Sequence, residues 1–108
     1  MTTLHRVIVS VSALDRALVL YGGVLGCEVS TRHGDLAVLH ADDETELMLH
    51  QWPVDRGDAA VAVSFGVHGL AAVVDAWVAG GGSVIDPPAR QPWGEEMAVV
   101  RDADGHVV

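Results

Sequence analysis

The sequence lacks several residue types on which common functions depend. It contains no lysine, and its 6 basic residues are all arginines. Against them stand 15 acidic residues, so the formal net charge is −9 over 108 residues. Phosphate recognition requires clustered lysine and arginine, so this balance argues against a nucleic-acid partner. A cationic or neutral small molecule is the easier guest for such a surface.

Cysteine and long apolar segments are also scarce. Cys27 is the single cysteine, which cannot form an internal disulfide or build a zinc site by itself. The amino terminus does not have the pattern of a signal peptide, and Asp15 and Arg16 interrupt the apolar stretch that follows it. We therefore expect a cytoplasmic protein without a membrane partner. Half of the residues are hydrophobic, which is enough to form a folded domain.

The first half of the chain predicts one strand, one helix and then three strands. The β-branched run 7–11 predicts the first strand. Apolar residues spaced three and four apart over 14–25 predict an amphipathic helix. Three further strands are expected at 28–32, 36–40 and 46–51, with turn-forming residues between them.

The second half repeats this order of elements. The predicted elements are a strand over 60–67, a helix over 70–78, a strand over 83–85, a Pro/Gly loop over 87–94, a strand over 97–101 and a last strand beginning at His106. An offset of 56 residues superposes Leu14 on Leu70 and Gly26 on Gly82. We therefore expect one domain over 1–108, built by duplication from a module over 1–56 and a module over 57–108.

Several short motifs occur in order along the chain. They are Val-Ser-Ala-Leu-Asp-Arg-Ala at 11–17, Pro-Trp-Gly at 92–94 and Arg-Asp-Ala-Asp-Gly-His at 101–106, where Ala103 replaces a proline. This set resembles the vicinal oxygen chelate superfamily, which includes glyoxalase I, extradiol dioxygenases and bleomycin-resistance proteins. The resemblance implies an α+β fold in which two βαβββ modules form a curled, cup-shaped mixed sheet. It also implies a homodimer.

The resemblance further implies where metal ligands would lie. Arg6 occupies the position of the first ligand, which is usually histidine, and Ala62 occupies that of the second. The closing glutamate would fall just beyond Val108. Arginine and alanine do not coordinate divalent metals, and a catalytic site needs about three protein ligands. We therefore expect no cofactor.

A divalent metal remains the alternative. A one-residue shift or a bulge that turns His5 inward would supply one donor, and His50 and Glu46 would supply two more. In that case the chain would be a metal-dependent lyase, isomerase or dioxygenase of the same superfamily.

Strand parity selects candidate ligand contacts. Leu47 and Leu49 suit the buried side of their strand, so Glu46, Met48 and His50 face the other side. The predicted ligand-binding residues are Arg6, Glu46, Met48, His50, Trp52, Ser64, Trp93 and Glu96. The two tryptophans offer aromatic faces to a cationic or aromatic guest, although Trp52 equally suits a joint between the modules. Glu96 stands where relatives with a similar Trp-Gly motif often have arginine. No catalytic residue is assigned.

These observations lead to one preferred function and two alternatives. The first is a metal-free, bleomycin-resistance-like protein that sequesters a small cationic or aromatic molecule without chemistry. The second is the metal-dependent enzyme. The third is a catalytically silent dimerisation module.

Overall fold

The chain has an α+β fold and divides into two compact units, 1–55 and 56–108. The structure is a computed structural model that describes residues 5–42, 45–51 and 62–108. The α+β prediction is confirmed. The division falls beside the predicted module boundary, and the single-domain assignment stays a prediction. No helix in the described ranges has the length and apolar character needed to cross a membrane.

Unit 1 contains every element that the sequence predicts for the first half. Its strands are β1 (Arg6–Val11), β2 (Glu28–His33), β3 (Leu36–His40) and β4 (Glu46–Gln51). They form one sheet in the order β1-β4-β3-β2, in which β1 is parallel to β4 and the other pairs are antiparallel. This order makes β1 and β4 neighbours although about 40 residues separate them along the chain.

The predicted helix over 14–25 has two parts. Helix α1 (Leu14–Leu18) continues as a π-helical segment (Val19–Val24), in which the Leu25 N–H donates to the Leu20 carbonyl at 3.0 Å. Two consecutive glycines at 22–23 lower helix propensity there. At the amino-terminal end of α1, the Leu14 N–H donates to Gln51 Oε1 at 2.7 Å. A side chain of β4 thus accepts a hydrogen bond from a backbone N–H that has no partner within the helix.

One face of the sheet packs against this helix and forms the core of unit 1. Leu47 and Leu49 of β4 are buried, as the predicted parity requires, and Leu39 of β3 is buried beside them. Leu20 and Tyr21 of the π-helical segment are also buried in this unit. Alternation with period two therefore leaves the opposite face of β4 to Glu46, Met48 and His50.

Unit 2 contains helix α2 (Leu70–Ala79) and an antiparallel hairpin of β5 (Ser83–Arg90) and β6 (Glu96–Arg101). The helix ends at the predicted glycines. Trp77 of α2 is buried, and its Nε1–H donates to the Arg101 carbonyl at 2.8 Å. A Cβ built on Gly82 would lie only 2.1 Å from that nitrogen. The backbone therefore approaches the indole so closely that only glycine fits.

Two predicted strands of the second half are wrong in part. The described part of the predicted strand 60–67, residues 62–67, is not in a strand. In unit 1, β1 pairs with β4, whereas the segment corresponding to β4 in unit 2 makes only the isolated bridge Arg101↔Val107. Within the ranges that the structure describes, residues 62–67 therefore have no strand partner, and the last strand predicted from His106 is reduced to that bridge.

The predicted Pro/Gly loop over 87–94 is shorter than expected. Strand β5 continues through Pro87 and Pro88 to Arg90. Proline has no N–H to donate and is tolerated at strand edges and irregularities. The pairing of β5 with β6 is irregular between Asp86 and Ala89, which is where the prolines lie.

Candidate ligand-binding face

The second face of the unit 1 sheet brings four predicted ligand contacts together. We call this surface the open face, and its residues on β1 and β4 are Arg6, Ile8, Ser10, Glu46, Met48 and His50. The register pairs Arg6 with Glu46, Ile8 with Met48, and Ser10 with His50. Ile8 is 57% exposed, so apolar surface lies on this face between two polar pairs.

Arg6 and Glu46 form a close ion pair at one end of the open face. The Arg6 Nε–H and NH2 groups both donate to Glu46 Oε2, at 2.8 and 2.6 Å. The pair is partly shielded from solvent, with side-chain exposures of 33% and 25%. Charge-assisted hydrogen bonds of this kind fix the geometry of a guanidinium more firmly than neutral ones do.

Two histidines extend this cluster. His5 Nε2 lies 4.0 Å from Glu46 Oε2, and His40 on β3 is the direct cross-strand partner of Glu46. The hydrogen bond from Arg6 lowers the pKa of Glu46 below its ordinary value, and the positive charges of Arg6, His5 and His40 add to that effect against partial desolvation. Glu46 is therefore an anion at neutral pH with basic groups around it.

Sequence reasoning selected Arg6 and Glu46 as ligand contacts but did not predict that they pair. It also did not select His40. Parity along a single strand shows which residues share a face, whereas the contact depends on the parallel pairing of β1 with β4.

Unit 2 holds three further predicted contacts. Ser64 is exposed, and burial alternates with period two along residues 62–67. Trp93 is 65% exposed in the turn that joins β5 to β6, where the Gly94 N–H donates to the Gln91 carbonyl. Glu96 is the exposed first residue of β6, and its cross-strand partner in the hairpin register is Arg90. Trp52 lies outside the described residues.

Arg6 on the open face does not fit the role of a ligand to a divalent metal. A guanidinium carries a positive charge and has no lone pair available for coordination. Arg6 stands at the first ligand position that the family resemblance implies, and it occupies Oε2 of Glu46 with two hydrogen bonds. A metal held by Glu46 and His5 would have to displace it.

A second group of donor atoms lies in unit 2. Ligand atoms of Asp102, Asp104 and His106 all lie within 4.8 Å of one another. Asp102 is buried, and its Oδ1 accepts the backbone N–H groups of Asp104 at 3.0 Å and His106 at 2.9 Å. These bonds close the turn that follows β6, so the Asp102 carboxylate has a structural role.

The arrangement of strand, helix and three strands in unit 1, with the first strand parallel to the fourth, defines a glyoxalase-type α+β fold. The Glyoxalase/Bleomycin resistance protein/Dioxygenase superfamily model matches residues 3–108, and the chain belongs to this superfamily. The resemblance inferred from the sequence is thereby confirmed.

Solved structures agree on the fold at low sequence identity. A glyoxalase-related enzyme from Fulvimarina pelagi has a TM-score of 0.85 and 18% identity, covering 99% of this chain and 85% of that one. A glyoxalase/bleomycin resistance protein/dioxygenase family enzyme from Burkholderia phytofirmans PsJN has a TM-score of 0.83 and 16% identity, with coverages of 98% and 94%. TioX from Micromonospora sp. ML1 has a TM-score of 0.64 and 21% identity, with coverages of 98% and 94%. Among curated proteins, no significant match is found.

Proposed function

We propose that this chain is a small-molecule-binding protein that captures its ligand at equilibrium, without a metal and without chemistry. The observation that carries the proposal is the Arg6–Glu46 ion pair on the open face. Members of the superfamily share a fold but not a function, so the side chains present must decide. Here the pair puts a hydrogen-bonding cation, and not a metal ligand, at the first ligand position.

The open face has the make-up expected of a small-molecule site. Such sites combine apolar surface with a few converging polar groups. Ile8 and Met48 supply the apolar part, and His50 and Glu46 supply polar groups on either side of Met48. Met48 adds an adaptable, polarisable side chain that suits an aromatic guest.

The remaining elements of the proposal concern unit 2 and the assembly. Trp93 would contribute an aromatic face to the ligand because most of its side chain is exposed. Ser64, Glu96 and Trp52 remain proposed contacts. We also propose that the protein is a cytoplasmic homodimer, as the family resemblance and the composition favour.

The test measures binding directly. Tryptophan fluorescence and melting temperature are recorded with a panel of planar aromatic compounds that are cationic, neutral and anionic. We expect at least one class to quench fluorescence and raise the melting temperature, since a ligand that binds only the native state stabilises it. If no member of the panel changes either quantity, sequestration is wrong. Light scattering coupled to gel filtration tests the dimer.

One observation favours the metal-dependent alternative. His5 Nε2 and Glu46 Oε2 lie 4.0 Å apart, close enough for both to reach one ion if that ion displaced Arg6 from Oε2. Elemental analysis of chelator-treated protein reloaded with Mn²⁺, Ni²⁺, Zn²⁺ or Fe²⁺ separates the two functions. A stoichiometric ion that raises the melting temperature would replace our proposal with a metal-dependent one.

A further inference from the structure

Arg6 has hydrogen-bonding capacity that its ion pair does not use. A guanidinium has five N–H donors, four of which form two forks. The contacts with Glu46 engage Nε and NH2, which form one fork. Among the residues that the structure describes, none accepts a hydrogen bond from NH1. The second fork, NH1 with the remaining N–H of NH2, therefore has the geometry that matches the two oxygens of a carboxylate or phosphate.

Glu46 acts as a positioning residue for this guanidinium. Arginine loses much rotamer freedom when its head group is fixed, and that loss ordinarily weakens binding. Two short hydrogen bonds already fix the head group in the free protein. A ligand that takes the second fork therefore has a smaller ordering cost to overcome.

The charges close to Arg6 matter more to a bound group than the total charge of the chain does. At physiological salt, charges are screened over about 8 Å, so a bound group responds mainly to its neighbours and less to the total of −9. His5 and His40 lie beside the Glu46 carboxylate, which Arg6 already neutralises. The opposing acidic groups are Glu28 on β2, the exposed cross-strand partner of His40, and Asp42, whose Oδ1 accepts the Thr45 N–H next to Glu46. The unused fork of Arg6, and not the local charge, therefore carries the inference of an anionic group.

The other arginine contacts in the structure differ from this one. Arg32 donates from NH2 alone to Asp15, and both side chains are largely exposed. Arg101 donates from NH1 to the Gly105 carbonyl within its own turn. Only Arg6, of these three, lies on the open face with a complete fork unused.

We infer that the ligand of the open face is a small molecule bearing a carboxylate or phosphate group, and that the second fork of Arg6 binds two oxygens of that group. The inference rests on the proposed function and names the ligand class for the same face. The total charge favours a cationic ligand, whereas this inference names an anionic one. An aromatic ring remains part of the expected ligand. The anion binds beside Ile8 and Met48, which can contact an attached apolar ring.

The experiment compares ligands of one shape and different charge. ¹⁵N-labelled protein is titrated with benzoate, with neutral benzamide, with cationic benzamidine and with inorganic phosphate, and backbone amide and arginine Nε–H resonances are followed. We expect benzoate or phosphate to shift the Arg6 Nε–H and the amides of β1 and β4. Benzoate alone indicates a carboxylate ligand, and tighter binding of phosphate indicates a phosphate ester.

Two matched variants assign the contact. Arg6→Lys keeps the charge but removes the fork, and it should weaken benzoate or phosphate binding roughly tenfold. Arg32→Lys changes the other arginine–carboxylate pair and should leave binding within about twofold of the wild type. Melting curves verify that each variant is folded, and the wild-type resonance shifts localise the anion even if Arg6→Lys is unstable.

The outcomes separate this inference from the proposed function. If benzamide or benzamidine binds as well as benzoate, or if Arg6→Lys leaves anion binding unchanged, the oxyanion inference is wrong while small-molecule binding stands. Shifts that cluster away from β1 and β4 also overturn it. If none of these probes binds and the wider aromatic panel gives no response either, both proposals fail.

Discussion

The close approach of Gly82 to Trp77 makes a sharp prediction about stability. An alanine Cβ at position 82 would lie 2.1 Å from Trp77 Nε1, 2.3 Å from Cδ1 and 2.9 Å from the Arg101 carbonyl oxygen, where ordinary contact begins at 3.4 Å. Gly82 does not have a positive φ, so the cost arises from the contact and not from the backbone conformation.

The expected magnitude follows from two effects. Moving a buried indole off its position is an overpacking change, which typically costs about 1–3 kcal/mol. The same movement breaks the hydrogen bond from Nε1 to the Arg101 carbonyl, and a buried donor left without a partner costs about 1–3 kcal/mol more. Together the two effects predict that Gly82→Ala destabilises the protein by about 2–6 kcal/mol, which lowers the melting temperature by roughly 10–40 °C.

Urea and thermal unfolding followed by circular dichroism measure the effect, and hydrogen exchange of the Trp77 indole N–H reports the broken bond. Gly23→Ala is the matched control, because a Cβ there has nothing within 4 Å and its φ is not positive. Its expected effect is neutral or stabilising by about 0.5–1 kcal/mol. A melting temperature for Gly82→Ala within about 2 °C of the control would refute the reasoning, because the smallest expected loss corresponds to a larger shift.

The remaining predictions concern the turn, the ion pair and the exposed tryptophan. Asp102→Ala should lower the free energy of unfolding in urea by about 1–3 kcal/mol because two backbone N–H groups lose their acceptor. Asp102→Asn keeps an oxygen acceptor and should lower it less. Equal losses for the two variants would contradict the role of Oδ1. Glu46 has a lowered native pKa, so its contribution to stability is present above its ordinary pKa of 4.5 and is lost as the pH falls through the native value. Unfolding curves of Glu46→Gln should therefore lie below the wild type at neutral pH and converge with it in acid, and a constant difference would argue against the pair. Trp93→Ala should change the free energy of unfolding by at most about 0.5 kcal/mol because the side chain is 65% exposed. It should also reduce the fluorescence change that the ligand induces. A large loss of stability would show that the Trp93 side chain packs against the protein.

The sequence predicted unit 1 well because its signals are local. The alternation through Leu47 and Leu49 and the helical spacing through Leu14 depend on residues close together in the chain, and both burial patterns are as predicted. In unit 2 the same reasoning was weaker. Strand formation at 62–67 depends on a hydrogen-bonding neighbour from elsewhere in the chain, and a period-two pattern alone does not supply one.

The candidate site was predictable in composition but not in geometry. Parity placed Glu46, Met48 and His50 on one face, and the register of β1 with β4 adds Arg6 to it. The hydrogen bonds of Arg6 depend on side-chain conformation and on a pairing between residues forty positions apart, which no local pattern encodes. Sequence reasoning did not select His40, because this residue ends β3 and reaches the site only through its cross-strand pairing with Glu46.

Arg6 also explains why superfamily membership does not settle metal dependence for this chain. A metal and a guanidinium compete for the same carboxylate oxygen of Glu46, and two cations at that distance repel each other strongly. Because Arg6 belongs to the same chain as Glu46, its effective concentration near this carboxylate is high, and a free metal ion must compete with it. The fold is shared with relatives at 16–21% identity, whereas this competition depends on one side chain. The residue at position 6 is therefore more informative about cofactor use than the fold that surrounds it.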